Sequence, residues 1–375
     1  MIFNGGRTMN YKCHDIFMIR TPDLPIDIFN EFDSYQGDSI SFLQENEEVN
    51  RRIREGLLVS SQSIFKSLEN IPTKKKKIKN LDIGIKKYLI RMATRPTPYG
   101  LFAGVGLGEF GTSTSLKVCS KRHIKDVKAD THWLFHVIYK IESDITLLSD
   151  LNLKWNDICY QWGNRIKNPY FSNHGDINNE DIIEESNIRY TNLLNIVREN
   201  TREFIPFSKL KMAILEQYEG VPEKLVGNTI LDLVENEYLL TDLRLPAYCD
   251  DTLGYVIEKL KNVKNAKEQV ETLEKIYTLM RDYKNNSTNN NTLIDIYREM
   301  KKIYTTSNYI EVNKGLVFDE NKLSLKIKHD LEKFIDTMSL LYVKQGAYSE
   351  LDKFKKEFSE EYGMNVRVPL VEVID

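Results

Sequence analysis

The chain has 375 residues, of which 41% are hydrophobic and 29% are charged, and this composition is that of an ordinary globular protein. Its 52 basic and 55 acidic residues give a net charge of −3, which excludes a globally basic nucleic-acid binder but leaves room for a local basic patch. The four cysteines lie far apart and form no CxxC pair, so the sequence predicts reduced thiols and neither a zinc ribbon nor a disulfide framework. We find no apolar run of signal-peptide or membrane-span length.

The first 150 residues alternate between strand-like and helical patterns. A short apolar run that ends at Arg20 predicts a strand, and residues 39–71 show helical spacing until Pro72 ends it. Another helix is predicted over residues 82–94, before Pro96. Glycine at every second position from 104 to 108 is typical of a strand that other chain segments approach closely, and residues 130–141 have the pattern of an amphipathic helix.

Residues 154–242 are predicted to form a separate unit. Strand-like runs at 158–162 and 187–190 precede three helical runs at 191–200, 208–219 and 223–237, and a strand follows at 238–242. Three helices beside a small sheet are typical of a winged helix-turn-helix. The third helix is acidic and would repel phosphates, so we expect no DNA partner.

The remaining residues, 243–375, are charged and mostly helical. They include a predicted strand at 309–313, helices at 330–341 and 349–362, and an apolar run at 366–375 that predicts a last strand. A terminal strand needs a partner, so we expect the chain to be one piece of a longer protein. The whole pattern predicts an α+β fold of mixed helices and short sheets with an embedded winged helix-turn-helix, divided at 1–150, 154–242 and 243–375.

The strongest local signal is basic. Residues 74–95 carry nine Lys and Arg residues against Asp82 alone. Lys87, Arg91 and Arg95 recur every fourth residue and are predicted to share one helix face. Like charges on one face repel unless an anion lies among them, and arginine binds phosphate or carboxylate bidentately. Alternatively, the same pattern would arise without a bound anion, because basic residues near a helix C-terminus are stabilised by the helix dipole and can face the solvent.

Two further signals are weaker. A second basic cluster at residues 117–128 predicts a lysine-rich loop and raises the prospect of a polyanion such as RNA. His132 and His136 have the i, i+4 spacing of metal ligands, but no HExxH glutamate or nearby cysteine completes a site. The sequence therefore predicts no metal.

One string is specific enough to indicate a family. The sequence RMATRPTPYGLFAG at residues 91–104, followed by ADTHWL at 129–134, resembles the N-terminal region of the lantibiotic dehydratases. The order of the later elements matches as well, from about residue 11 to residue 375. The resemblance covers only the first part of that family's glutamylation domain.

The resemblance implies an activity and a set of residues. Members of the family take glutamate from glutamyl-tRNA, esterify Ser and Thr hydroxyls of a ribosomally made precursor peptide, and then eliminate the glutamate. The family's glutamylation residues match these positions: Arg91, Arg95, Thr97, Asp130 and Arg20. The chain departs from the family at Asn313, where an acidic residue is common, and Glu311 on the same strand face is the expected substitute.

The resemblance also implies partners. Glutamyl-tRNA would be a co-substrate, with no resident cofactor. We expect its backbone to be bound by Lys74, Lys75, Lys76, Lys77, Lys79, Lys87, Lys121 and Arg122. The precursor's leader would add as a strand beside Asn187, Ile188, Arg189, Tyr190, Val226, Ile230 and Val234.

Two interpretations of the whole chain stay open. In the first, a downstream domain or a separate protein completes the active site and carries out elimination. In the alternative, the chain is a non-catalytic module that captures the leader peptide for another protein. In either case the expected location is the cytoplasm, including the periphery of a membrane-associated biosynthetic complex.

Overall fold

The computed structural model describes residues 11–171, 184–285, 290–341 and 349–374. The chain divides into two compact units, each assembled from separate segments of sequence. The larger unit comprises Ile19–Gly106 and Val118–Asp319, and the smaller comprises the described residues of Met1–Met18, Leu107–Lys117 and Glu320–Asp375. The predicted division of the sequence at 1–150, 154–242 and 243–375 stays a prediction.

The first part of the chain alternates strands and helices, as the sequence predicts. Its elements are β1 (Ile16–Pro22), α1 (Ile26–Ser34), α2 (Ser39–Glu45), α3 (Glu47–Ser60), α4 (Gln62–Glu69), α5 (Lys75–Thr94), β2 (Ala103–Gly111), β3 (Ser115–Ala129), α6 (Thr131–Glu142) and α7 (Ile145–Leu148). The single helical run predicted at 39–71 is three helices, because Asn46 and Ser61 leave the helical conformation. Helix α5 begins seven residues before the predicted start, within the lysine run.

The middle of the chain contains the predicted strands and helices in their order, together with three strands that were not predicted. Its elements are β4 (Asn152–Trp155), β5 (Tyr160–Trp162), β6 (Arg165–Phe171), β7 (Glu184–Arg189), α8 (Asn192–Asn200), β8 (Ile205–Pro206), α9 (Phe207–Gln217), α10 (Glu223–Glu235) and β9 (Leu239–Thr241). They form two small sheets, ordered β8-β4-β9 and β5-β6-β7. The predicted α+β class is confirmed, and the assignment to the winged helix-turn-helix class stays a prediction.

The last part is helical apart from one long strand. Its elements are α11 (Thr252–Leu260), α12 (Lys267–Asn285), α13 (Asn290–Ile303), β10 (Ile310–Ser324), α14 (Leu325–Leu341), α15 (Ser349–Tyr362) and α16 (Leu370–Ile374). The strand predicted at 366–375 is wrong: the chain is irregular up to Pro369 and then forms α16. Pro369 lacks the N–H that a ladder needs, and its fixed φ suits a helix start.

A four-stranded sheet in the order β1-β2-β10-β3 explains the alternating glycines. A Cβ on Gly106 would come within 2.3 Å of the Phe318 ring, and one on Gly104 within 2.4 Å of Leu316. Because these glycines have no side chain, side chains of the neighbouring strand β10 can lie across β2. This agrees with the prediction that other chain segments approach this strand closely.

The core of the larger unit contains a buried charged group as well as large apolar side chains such as Phe102 and Trp133. The Lys125 ammonium contacts the Glu55 carboxylate and lies 4.2 Å from the centre of the Tyr283 ring. The Tyr283 hydroxyl donates to the same Glu55 oxygen at 2.8 Å. A buried ion pair is tolerated when hydrogen bonds satisfy it in this way. Among the helices of the described residues, none combines the length and apolar character needed to cross a membrane.

Candidate active site

Arg91 is held by the aromatic residue of its own motif. It lies in the last turn of α5, and its guanidinium carbon is 4.3 Å from the centre of the Tyr99 ring. Tyr99 stacks in turn on the buried Phe102, with ring centres 6.0 Å apart. The Arg91 Nε is buried, and no described residue accepts a hydrogen bond from it. A buried N–H without an acceptor is uncommon in folded proteins and suggests that a ligand supplies one.

Arg95 does not share a helix face with Lys87 and Arg91, and that part of the prediction is wrong. Helix α5 ends at Thr94, and Arg95 is extended, with φ −108° and ψ 116°. Pro96 is the cause, because proline disfavours the helical conformation in the residue before it. Arg95 is exposed and is joined to Arg91 by a backbone hydrogen bond of 3.0 Å, so the two arginines lie on adjacent parts of the chain.

The proline turn brings the motif to strand β10. Thr97 is exposed in this turn, and Gly100 closes it with a φ of +56°. A Cβ at Gly100 would lie 2.9 Å from the Ser60 Oγ and 4.0 Å from the Val312 carbonyl oxygen. Glycine is favoured here by both the positive φ and the close contact with Ser60. The turn therefore lies beside the part of β10 that carries Glu311 and Asn313.

Asp130 lies beside the start of the same strand. Its N–H donates to the Tyr309 carbonyl at 2.9 Å, one residue before β10 begins. Its carboxylate accepts from the Trp133 N–H at 3.2 Å and so caps α6. Capping alone explains an aspartate at this position. Among the five predicted catalytic residues, Asp130 is therefore the one whose presence is best explained by a structural role.

Arg20, Glu311 and Asn313 are exposed residues on two strands of one sheet. Glu311 and Asn313 project from the same face of β10, as expected for residues two apart. The Asn313 amide donates to the Glu311 carboxylate at 2.7 Å. Residue 313 cannot act as a base, but it holds a carboxylate beside it.

A cleft of about 1170 Å³ in the larger unit contains none of the five predicted catalytic residues. Thr21 and Lys314 line it. Since successive side chains of a strand alternate between faces, Arg20 and Asn313 project from the opposite side of the sheet. The cleft is therefore on the other face of the sheet from Arg20, Glu311 and Asn313.

The cleft contains charged residues that the sequence did not single out. The Asp23 carboxylate contacts the Lys314 ammonium and lies 3.5 Å from Arg52. Burial lowers the pKa of Lys314 to about 8. Nothing local in the sequence marks this cluster, because its three members are far apart along the chain.

The lysines predicted to bind tRNA are exposed at the start of α5. This group consists of Lys74, Lys75, Lys76, Lys77 and Lys79, whereas Lys87, which is also exposed, lies in the second half of the helix. Among the described residues, no carboxylate lies within 4.0 Å of any of them, whereas the neighbouring Lys86 pairs with Asp82 at 3.1 Å. The first turn of α5 contains no acidic residue. Lysines at the positive end of a helix dipole are unfavourable, so the dipole does not explain this run.

The second basic cluster is not a loop. Residues 117–128 belong to strand β3, and Lys125 within it is buried against Glu55. The cluster therefore does not form one continuous basic surface. The side chains of Lys121 and Arg122 lie outside the described residues, so their predicted tRNA contacts stay predictions.

The predicted strand for leader binding lies at an edge of its sheet. In the order β5-β6-β7, strand β7 pairs with β6 alone among the described strands. Asn187 and Arg189 are exposed, whereas Ile188 and Tyr190 are half-buried and pack against the core. An edge strand presents free backbone groups to which an extended peptide can pair.

The residues predicted on α10 to contact the leader point inward. Val226, Ile230 and Val234 are all buried in the core, with at most 3% of their surface exposed. The spacing of these residues correctly predicted the apolar face of the helix. That face, however, packs against the hydrophobic core of the larger unit. A bound peptide would instead meet the exposed side, which includes Leu225.

The histidine pair on α6 is involved in an aromatic contact. The Nε2 atoms of His132 and His136 are 3.3 Å apart, and the His136 ring stacks on Tyr304 with centres 3.9 Å apart. In the described part of the chain, no group of three or more potential metal-ligating side chains occurs.

Comparison with known proteins identifies the family. The family model described as lantibiotic dehydratase, N terminus, matches residues 49–375. The chain belongs to the lantibiotic dehydratase family. Within that family it is 27% identical over 365 residues to the epidermin biosynthesis protein EpiB of Staphylococcus epidermidis, covering 96% of this chain and 36% of EpiB. It is 26% identical over 342 residues to the nisin biosynthesis protein NisB of Lactococcus lactis subsp. lactis, covering 88% of this chain and 33% of NisB.

Solved structures show the same fold. The tRNA-dependent lantibiotic dehydratase MibB from Microbispora sp. 107891 superimposes with a TM-score of 0.78 at 21% identity, over 96% of this chain and 34% of MibB. The glutamylation domain of TbtB from thiomuracin biosynthesis superimposes with a TM-score of 0.61 at 13% identity, over 86% of this chain and 40% of that one. The chain thus spans about a third of the length of the curated dehydratases that it matches.

Proposed function

We propose that this lantibiotic dehydratase chain is the N-terminal part of a module that transfers glutamate from glutamyl-tRNA to Ser and Thr side chains of a precursor peptide. The observation that carries the proposal is the Arg91 guanidinium, stacked on Tyr99 with its buried Nε lacking an acceptor among the described residues. A phosphate of the tRNA 3′ end or the glutamyl side-chain carboxylate would supply that acceptor.

The reaction would be an acyl transfer. The peptide hydroxyl attacks the glutamyl carbonyl, the bond to the tRNA 3′ oxygen breaks, and the hydroxyl proton ends on that oxygen. Arg91 and Arg95 would hold the anionic part of the donor, with Thr97 contributing a hydroxyl from the same turn. Glu311, held by the Asn313 amide, is the carboxylate best placed to move the proton.

The start of α5 is our proposed contact with tRNA. Five exposed lysines there lack carboxylate partners in the described residues and oppose the helix dipole, so they have a physical reason to seek phosphates. MibB is described as tRNA-dependent, which agrees with a partner of this kind.

The edge of β7 is our proposed contact with the precursor's leader. The peptide would pair with β7 as an added strand and cover the exposed side of α10 near Leu225. The names of EpiB and NisB link those relatives to the biosynthesis of epidermin and nisin.

A second candidate function is leader capture without catalysis. Asn313 favours it, because an amide stands where the family often carries an acid. In that case β7 and α10 would bind peptide while the arginine site is unused.

One experiment separates the two. The chain is combined with a polypeptide that supplies the remaining part of a lantibiotic dehydratase, and transfer of labelled glutamate from glutamyl-tRNA to the precursor is followed by mass spectrometry. We expect transfer that disappears in Arg91→Ala. Leader binding with no transfer under these conditions would support the capture function instead.

A further inference from the structure

Helix α14 has its apolar side facing outward. Six side chains recur at helical spacing along one stripe and are 38–67% exposed. They are Ile327, Leu331, Phe334, Ile335, Met338 and Leu341, which we call the α14 stripe.

The flank of α14 that carries Lys328 and Glu332 is attached to its own unit by polar contacts. The Cys13 N–H donates to the buried Glu332 carboxylate at 3.0 Å, and the Lys328 ammonium lies 2.7 Å from the Asp15 carboxylate. Lys328 also lies 5.7 Å from the centre of the Phe110 ring. An amphipathic helix normally buries its apolar side, so this arrangement is the reverse of the usual one. Contiguous apolar patches of this kind mark interaction surfaces.

We propose that the α14 stripe is the docking surface for the part of the lantibiotic dehydratase polypeptide that this chain does not match, whether it is joined to this chain or separate. The inference rests on family membership and is independent of the proposed function. About two thirds of EpiB and MibB lies outside the region shared with this chain, whereas α14 lies inside the family match at 49–375. The relatives that share this helix are about three times as long as this chain. They therefore contain enough further polypeptide to cover the helix.

The composition of α14 favours a protein partner over a membrane surface. Helices that lie on membranes carry an excess of Lys and Arg on their polar side. Helix α14 carries three lysines and three acidic residues, so its polar side has no such excess. Apolar side chains with a balanced polar rim are instead the composition of a protein interface.

The test uses the full chain and a probe polypeptide that comprises the part of EpiB outside the matched region. The matched region of EpiB, made as a separate chain, is the positive control. The variant is Leu331→Gln/Phe334→Gln/Met338→Gln. The control variant is Ile71→Gln/Ile83→Gln/Ile294→Gln, which changes three apolar side chains of similar exposure in the larger unit.

We expect the wild-type chain and the control variant to form a one-to-one complex with the probe, measured by light scattering after gel filtration and by calorimetry. The α14 variant should bind at least about tenfold more weakly, since apolar anchors dominate such interfaces. Its melting temperature should equal that of the control, because the replaced side chains are exposed. Amide hydrogen exchange should also slow at residues 327–341 in the wild-type complex.

Three results would overturn the proposal. The first is equal binding of the probe by both variants, or no binding although the positive control binds. The second is a wild-type homodimer that the α14 substitutions dissociate, which would assign the stripe to a second copy. The third is binding to phosphatidylglycerol vesicles that the α14 substitutions abolish, which would assign it to a membrane.

Discussion

The Arg91 guanidinium lies 4.3 Å above the Tyr99 ring, and both residues belong to the string by which the sequence resembles its family. The ring fixes the plane of the guanidinium, so its N–H groups are presented in a defined direction. We propose that this contact preorganises the motif to bind an anion. It also gives the aromatic position of the motif a contact that the sequence did not reveal.

Tyr99→Leu should weaken binding of the anionic donor, whereas Tyr99→Phe should not. The phenyl ring keeps the cation–π contact, which is worth roughly 0.5–2 kcal/mol, and leucine removes it. The measurement is the KM for glutamyl-tRNA in the assembled module. Equal KM values for the leucine and phenylalanine variants would show that the ring does not position Arg91.

Neutralising the start of α5 should weaken tRNA binding and reduce its dependence on salt. We expect Lys75→Gln/Lys76→Gln/Lys79→Gln to lose affinity because each phosphate contact releases a counterion. Filter binding at two salt concentrations measures both effects. The control is Lys353→Gln/Lys355→Gln/Lys356→Gln on α15, three exposed lysines that the account gives no role. If the binding of tRNA by the wild-type chain does not change with salt, this surface is not the tRNA contact.

Leader affinity should depend on the exposed side of α10 and not on its buried side. Leu225→Gln should lower affinity in fluorescence anisotropy with little change in melting temperature, while the equally exposed Met212→Gln on α9 should not. Ile230→Ala should instead destabilise the fold by about 2–5 kcal/mol, since the side chain is fully buried. Unchanged affinity in Leu225→Gln would mean that the peptide binds elsewhere.

The buried pair in the larger unit should be important for stability. Removing one partner leaves an uncompensated charge, so Lys125→Ala should cost about 3–5 kcal/mol of unfolding free energy. Lys117→Ala, at an exposed position of the same strand, should be nearly neutral. Urea titrations of both variants provide the comparison. A loss below about 1 kcal/mol for Lys125→Ala would mean that the Glu55 and Tyr283 contacts contribute little.

Local signals allowed much of this fold to be predicted from the sequence. Asp130 was correctly placed at the start of a helix, where its carboxylate caps α6, and Pro96 correctly marked the end of α5. The alternating glycines predicted β2 and its close neighbours for the reason that the structure confirms.

Other errors arose where a distant residue decides the outcome. Lys125 belongs to a basic cluster in the sequence, yet it is buried because Glu55, 70 residues away, pairs with it. The apolar spacing of Val226, Ile230 and Val234 identified a helix face but not what covers that face. Lys314 and Asp23 meet only in the folded chain, so neither residue was a candidate.

Glutamate transfer by Arg91→Lys and Arg95→Lys in the assembled module tests the central claim most directly. Lysine keeps the charge but loses the planar fork, and hydrogen bonds to charged groups are worth about 1.5–3 kcal/mol each. Each variant should transfer glutamate at least about tenfold more slowly than the wild type, with its melting temperature nearly unchanged. A large drop in melting temperature with full activity per folded molecule would contradict it, because the arginines would then serve the fold and not the donor.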